Sequence, residues 1–233
     1  MKQFLFFFFA LIALSSCRHI KGSGNIVTEK RQTGNFKGIS VGGSYEVEVK
    51  TGPVIEVLVE SDDNIMRYIQ TKVEGDVLKI SIKGAAGFTD AHLKVYITTP
   101  QINSIKSSGA ANIKSKDLLT NNGRISFEAS GASEIKAQVD APEIYTEISG
   151  AASIELTGRT KNHNAEASGS GDLKTGQLLS ESTDVTVSGA ASAHVYSSVS
   201  LTANASGAAS INYRGAGNVK KNVSGAASIK AEE

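Results

Sequence analysis

A single cysteine, three prolines and no tryptophan stand in this chain of 233 residues, and the scarcities narrow the answer. With Cys17 alone, no disulfide can form within the chain, so stability has to come from packing and backbone pairing. Charge of one sign is missing too. The 24 lysines and arginines face 23 aspartates and glutamates, which leaves no electrostatic footprint for nucleic acid. No cluster of bases marks a membrane-surface helix. The one long apolar run, residues 4–14, has eleven residues and falls short of the roughly 20 needed to span a bilayer.

That run suits a different purpose. Lys2 precedes it as a positive n-region, and Leu14-Ser15-Ser16-Cys17 follows as a small-residue stretch ending in the only cysteine. The pattern predicts a secretory signal over residues 1–16 and resembles a bacterial lipobox, in which Cys17 is lipidated and becomes the mature N-terminus. An ordinary cleaved signal with an incidental cysteine is the alternative. Residues 17–23 then read as a lipidated tether. Removing residues 1–16 deletes Lys2 and leaves 23 basic against 23 acidic residues, a neutral mature chain.

What the chain does have is glycine, alanine and serine in a regular recurrence. Near-identical hexapeptides begin at Ser108 (SGAANI), Ser130 (SGASEI), Ser149 (SGAASI), Ser168 (SGSGDL), Ser188 (SGAASA), Ser206 (SGAASI) and Ser224 (SGAASI). Successive starts differ by 22, 19, 19, 20, 18 and 18 residues, a period that signals stacked structural units. Five residues after each serine stand Ile113, Ile135, Ile154, Leu173, Ala193, Ile211 and Ile229, a column expected to point inward. One residue later come Lys114, Lys136, Glu155, Lys174, His194, Asn212 and Lys230, expected to face outward. A tight corner needs a backbone angle open to glycine, which nominates Gly109, Gly131, Gly150, Gly169, Gly189, Gly207 and Gly225 as structural turn residues. Rungs stacked at ~4.8 Å make a rod roughly 30 Å long. Ala193 and the glycine-enriched copy at Ser168 are expected to form the loosest rungs.

Residues 24–100 carry period-two alternation instead, as in Tyr45-Glu46-Val47-Glu48-Val49 and Val77-Leu78-Lys79-Ile80-Ser81-Ile82, and read as strands. One short helix is expected over residues 64–73, where Ile65 and Ile69 share a face and Asp62 or Asp63 can cap the first turn. This part is expected to cap or extend one end of a repeat region over residues 101–233. The predicted fold is all-β, a right-handed parallel β-helix with Gly-Ser turns. A left-handed hexapeptide helix would need an aliphatic residue every six positions, which the stretches between serines lack. Propeller blades would need roughly 40 residues each.

With the repeats laid out, the chain resembles the autotransporter-adhesin head domain family, also called the head GIN domain, of Bacteroidetes-type lipoproteins. The resemblance rests on Gly22-Ser23-Gly24-Asn25-Ile26, Phe36-Lys37-Gly38-Ile39-Ser40-Val41, Glu60-Ser61-Asp62-Asp63-Asn64-Ile65, Gly75-Asp76-Val77-Leu78-Lys79-Ile80 and the SGA series. It implies a pectin-lyase-like solenoid and a role in adhesion, and it brings no catalytic residues. An analogy with trimeric heads implies a homo-oligomer. Fold kinship alone does not establish function.

The residues offer little chemistry. A glycosidase needs two carboxylates roughly 5–10 Å apart, and Asp62-Asp63, the only adjacent acidic pair in the body of the chain, reads as a helix cap. Glu128, Glu147 and Glu166 each stand two residues before a repeat serine and predict an outward acidic column. Such a column either binds a divalent cation or forms a solvated face relieved by lysines, and the second reading is favoured. His19, His92, His163 and His194 show no metal spacing and read as surface or loop residues. Gly215-Ala216-Gly217 lacks the pattern and the following helix of a phosphate loop. No catalytic, cofactor or metal site is assigned.

The expectation is a non-enzymatic, cell-envelope lipoprotein, anchored to the outer membrane through Cys17 and presenting a repetitive surface to glycans or cell-surface proteins. The alternatives are a carbohydrate-active enzyme, marked by converging carboxylates or an Arg–Asp pair in a concave site, and a structural envelope scaffold. The basic Arg18-His19-Ile20-Lys21 after the anchor leaves periplasmic and surface-exposed faces both open. Growth with a palmitate analogue should label the wild-type protein and leave Cys17→Ser unlabelled. Equal labelling of the two would mean that Cys17 carries no lipid.

Overall fold

In the computed structural model, which describes residues 19–84, 87–215 and 217–232, the seven repeat glycines adopt φ between 72° and 84°. Each is therefore in the left-handed region that disfavours any residue with a Cβ. The next N–H reaches back to the glycine carbonyl one turn below. Ala132 donates to Gly109 at 2.8 Å, Ala151 to Gly131 at 2.8 Å, Ser170 to Gly150 at 2.7 Å and Ala226 to Gly207 at 2.8 Å. A Cβ on any of the seven would lie 2.6–2.9 Å from that same stacked carbonyl oxygen. Glycine is thus required twice, once by the turn and once by the stack.

Strands enter and leave these corners in parallel register. Ser104–Gly109, Arg124–Ala129 and residues 143–148, 162–167, 182–187, 200–205 and 218–223 pair one upon the next. Beyond the corner, Ile113 pairs with Ile135, then Ile154, Leu173, Ala193, Ile211 and Ile229. Six of the seven are at most 1% exposed, and Ile229 packs against the core half-buried. The outcome is the expected all-β parallel β-helix, a solenoid of about six turns. A second bend lies opposite the glycine corner, where pairing skips Pro142 and Lys161.

The copy at Ser168 has a packing reason. A Cβ on Gly171 would meet Ile148 Cγ2 at 2.5 Å, so the extra glycine makes room for an isoleucine in a column of otherwise smaller residues, Ser107, Ala129, Ala167, Val187, Ala205 and Val223. Ala193 is also sealed, at 1% exposure. The inward positions of both rungs are sealed, while the strand that follows the Ser168 copy carries a slip in register opposite Glu155 and Thr157.

Residues 24–100 both lengthen and close the stack. Gly38–Gly43 and Glu46–Thr51 flank a further corner and pair in parallel with Ser104–Gly109 and Asn112–Thr120. This rung escaped the repeat pattern because it is written Gly42-Gly43-Ser44-Tyr45, with the buried Tyr45 where later copies have alanine, serine or glycine. Val77–Ile82 and Leu93–Thr99 pair in parallel beneath it. Then the sense changes. Ile69–Glu74, Glu56–Asp62 and Ile26–Lys30 are all antiparallel, and they occupy the edge that a parallel rung would leave open.

The helix expected over residues 64–73 is not formed. One 3₁₀ turn, Met66–Tyr68, leads straight into the strand Ile69–Glu74. Ile65 and Ile69 are both buried, so their four-residue spacing reports one tight turn and not a helical face. No side chain caps the turn. The expected tether is held to the body as well, since His19–Lys21 pairs in parallel with Gly87–Thr89.

Replacing a corner glycine should therefore cost more than an ordinary surface change. Gly150→Ala should lower unfolding free energy by roughly 2–4 kcal/mol, from the positive φ plus the carbonyl contact. Gly34→Ala, with open space around its Cα, should stay within about 0.5 kcal/mol of wild type. Urea denaturation of the two variants side by side checks both values, and equal stability would remove the proposed steric role.

Candidate interaction surface

The solenoid presents two outward sheets, one before and one after the glycine corner. On the first, Glu128, Glu147 and Glu166 stand in register on neighbouring strands, as their spacing predicted. Lys106 continues the column and pairs with Glu128. The Tyr145 hydroxyl donates to Glu147 at 3.1 Å, and burial followed by that carboxylate pushes its pKa up to about 12. Further along, Asn222 Nδ2 donates to Asn204 Oδ1 at 2.7 Å in the same column. Among the described residues no group of three acidic, histidine or cysteine side chains is placed to hold a metal ion.

The second sheet carries Lys114, Lys136, Glu155, Lys174, His194, Asn212 and Lys230, all outward and in one file. Lys136 bridges Glu134 at 3.1 Å and Glu155 at 3.3 Å, and Lys174 meets Asp172 at 3.4 Å. Pairs this exposed contribute little stability, so their importance lies in what the surface presents.

Two hollows open here, one on this sheet and one at the bend where it ends, beside Pro142 and Lys161. One, of about 430 Å³, is lined by Glu155, Lys174, Gly176, Gln177, His194 and Arg214 among others. It forms where the register of the two strands slips between Glu155 and Thr157, an irregularity of the kind that re-aims side chains. The other, of about 580 Å³, includes Asp140, Arg159, Lys161, Leu179, Glu181 and Tyr196.

This second hollow contains the Arg–Asp pair that would mark an enzyme. Arg159 Nε and Nη2 donate to Asp140 Oδ2 at 2.8 and 2.6 Å. The two residues are register partners on adjacent strands, and the arginine side chain is 76% exposed. Arg159 holds the Asp140 carboxyl below its usual range, and a carboxylate held ionised is no proton donor near neutral pH. The geometry is that of a cross-strand surface pair.

The remaining sequence candidates fall into place structurally. Asp62 and Asp63 form a clasp and cap no helix. Asp62 accepts the N–H groups of Gly24 at 2.7 Å and His92 at 2.8 Å, while Asp63 accepts the Ser23 hydroxyl at 2.6 Å and Asn25 Nδ2 at 2.8 Å. The His92 N–H first among these holds Asp62 below its usual pKa, and the Ser23 hydroxyl does the same for Asp63. The structural turn glycines sit at the corners described above. Cys17 and the signal segment lie outside the described residues, as does Ala216 of the Gly215-Ala216-Gly217 stretch.

One histidine reading needs correction. His163 is a core residue, 1% exposed, paired in register with Ile144 below and Thr183 above. Its Nε2 shares a hydrogen bond with the Thr146 hydroxyl at 3.1 Å, and Nδ1 is buried without a partner. The signal was in the sequence: five residues before the repeat serines from Ser130 to Ser206 come Ile125, Ile144, His163, Thr183 and Leu201, an inward column. His92, half-buried, faces Glu60 at 2.6 Å, and His194 faces Glu232 at 3.1 Å.

The sequence matches the family model described as "Putative auto-transporter adhesin, head GIN domain" over residues 35–217. No curated relative matches it. Among solved structures it is similar to a "putative adhesin" from Bacteroides fragilis, with 21% identity, a TM-score of 0.85, and 91% of this chain and 100% of that one covered. A "putative lipid binding protein" from Parabacteroides distasonis shares 19% identity at a TM-score of 0.77, covering 93% and 100%. A "putative adhesin" from Parabacteroides merdae shares 18% at 0.72, again covering 93% and 100%. At these identities the likeness is one of fold.

Burial drives the His163 pKa down to about 4, against roughly 6.5 in an unfolded chain. Between those values the unfolded chain binds more protons, so this contribution is complete above about pH 6.5 and is lost as pH falls towards 4. The total loss should be roughly 3 kcal/mol. Chemical denaturation at pH 7 and 4.5 should show a steep decline in wild type and a flatter one in His163→Leu; parallel declines would contradict the assignment.

Proposed function

The chain belongs to the head GIN domain family, and from that premise we propose that it is a non-catalytic cell-envelope protein, tethered by a lipid on Cys17, which binds through the outer sheets of its solenoid. The observation that carries this reading is the in-register display of polar side chains on successive strands at ~4.8 Å spacing. A surface that repeats itself offers many weak contacts, and several such contacts on one body raise avidity. Envelope glycans or surface proteins are the partners this chemistry suits.

A lipid ligand, as the description of the Parabacteroides distasonis protein has it, would need an apolar chamber. Here the inward columns are filled by their own side chains, the hollows around Arg214 and Arg159 are lined with charged groups, and a further hollow of about 550 Å³ beside Phe36, Val54 and Ile55 also carries Lys37 and Asp76. The catalytic alternative has in its favour the Arg159–Asp140 pair, whose geometry is that of a surface bridge, and a hollow lined by Glu48, Glu56 and Glu60, whose carboxylates are met by Lys94 and Lys116, by Lys30 and by His92.

Beads carrying many copies of residues 18–233 should be retained by intact cells, envelope extracts or a glycan array. Soluble single copies should bind more weakly by on the order of 10²–10⁴. Beads that wash off every one of these surfaces would end the adhesive reading.

A further inference from the structure

The hollow at the register slip gathers Arg214, Lys174 and His194, together with Glu232 and with Glu155, which is bridged to Lys136. Arg214 Nη2 reaches back across the rungs to donate to the Gly176 carbonyl at 2.5 Å, which fixes the guanidinium over the hollow. Half-buried, it has no carboxylate partner among the described residues. An arginine so held keeps its charge and most of its five donors for something else. His194 and Lys174 are register partners on the neighbouring strands and line the same wall. Gly176 leaves the floor open, since a Cβ there would only touch Arg214 and His194 at 3.7–4.0 Å. The chain itself supplies a second sign: Glu232 places a carboxylate oxygen 3.1 Å from His194 Nδ1.

We propose that this hollow binds the carboxylate of an acidic saccharide, with Arg214 as the principal donor, His194 and Lys174 beside it, and Glu232 as an internal stand-in that a ligand displaces. A saccharide is favoured over a bare anion by what adjoins the cationic wall. Thr157 and Gln177 add hydroxyl and amide groups, and Tyr196, next to Arg214 in register, lines the neighbouring hollow with Arg159 and Lys161. Because Tyr196 and Arg214 are register partners the two hollows adjoin, and a chain of sugars with repeated carboxylates can cross from one to the other. An aromatic face beside hydroxyl and charged groups is suited to a ring that is apolar on one side and polar at its rim.

This rests on the binding function proposed above and names its ligand class. Titration calorimetry of residues 18–233 with hexamannuronate, with uncharged mannohexaose as the control, tests it. Hexamannuronate should bind and mannohexaose should not. Arg214→Gln should weaken binding about tenfold, the scale of one charge-assisted hydrogen bond, while Lys220→Gln, remote from the hollow, should not. Glu232→Gln should tighten it. Matching thermal unfolding of the variants guards against misfolding. Equal binding of the neutral sugar, or an Arg214→Gln variant with unchanged affinity, overturns the proposal. Should the beads still hold to cells in that event, the adhesive function survives and only this site is lost. Beads that fail while hexamannuronate still binds through Arg214 give the reverse.

Discussion

Everything in this molecule depends on a hydrogen bond that only glycine permits. At each corner the chain must turn with positive φ while its backbone lies close enough to the turn below for N–H to meet carbonyl. A Cβ fails on both counts, through its own backbone sterics and through the stacked oxygen. Because the corner recurs every turn, its geometry sets the register of both strands that flank it. The small residue two positions past the glycine follows from this approach, being buried as Ala111, Ser133, Ala152, Ala191 and Ala209.

Register in turn decides what is core. With the corners stacked, residues at equal distance from them fall into files, and the apolar files fuse into one core running from Phe36 to Ile211. Neighbouring rungs trade volume within it, as Ile148 does with Gly171. A polar group caught in an inward file has to find its partner there. His163 does so with Thr146 at the cost of one unpartnered nitrogen. At the N-terminal end the parallel order gives way to antiparallel strands, and the Asp62-Asp63-Asn64 clasp fastens the incoming segment to them.

The same regularity makes the few irregular places informative. Several outward charges are met by a neighbour one rung away, such as Lys106 with Glu128 or Arg159 with Asp140, and so offer little to a partner. Where the register slips beside Gly176, a hollow opens and an arginine is left without a counter-charge. A repetitive exterior suits broad, weak contact; a break in the repetition suits a particular ligand.

The period of the Ser-Gly copies, read from the sequence alone, determined the solenoid, the inward file from Ile113 to Ile229 and the identity of the corner glycines. It could do so because a constraint that is local in the chain is repeated in space. The acidic file was legible for the same reason. Parity alone placed His163 inside, although its polar neighbours Asn162 and Asn164 suggested a surface loop. The rung around Gly43 stayed hidden because Tyr45 breaks the small-residue pattern, and the spacing of Ile65 and Ile69 imitated a helix across a single tight turn. What only the tertiary structure decided are contacts between residues far apart in sequence. Arg214 meets Gly176, Glu232 meets His194, and Asp62 holds Gly24 and His92. No periodic pattern encodes these, because each depends on where a rung departs from its neighbours and on which side chains the winding then brings together.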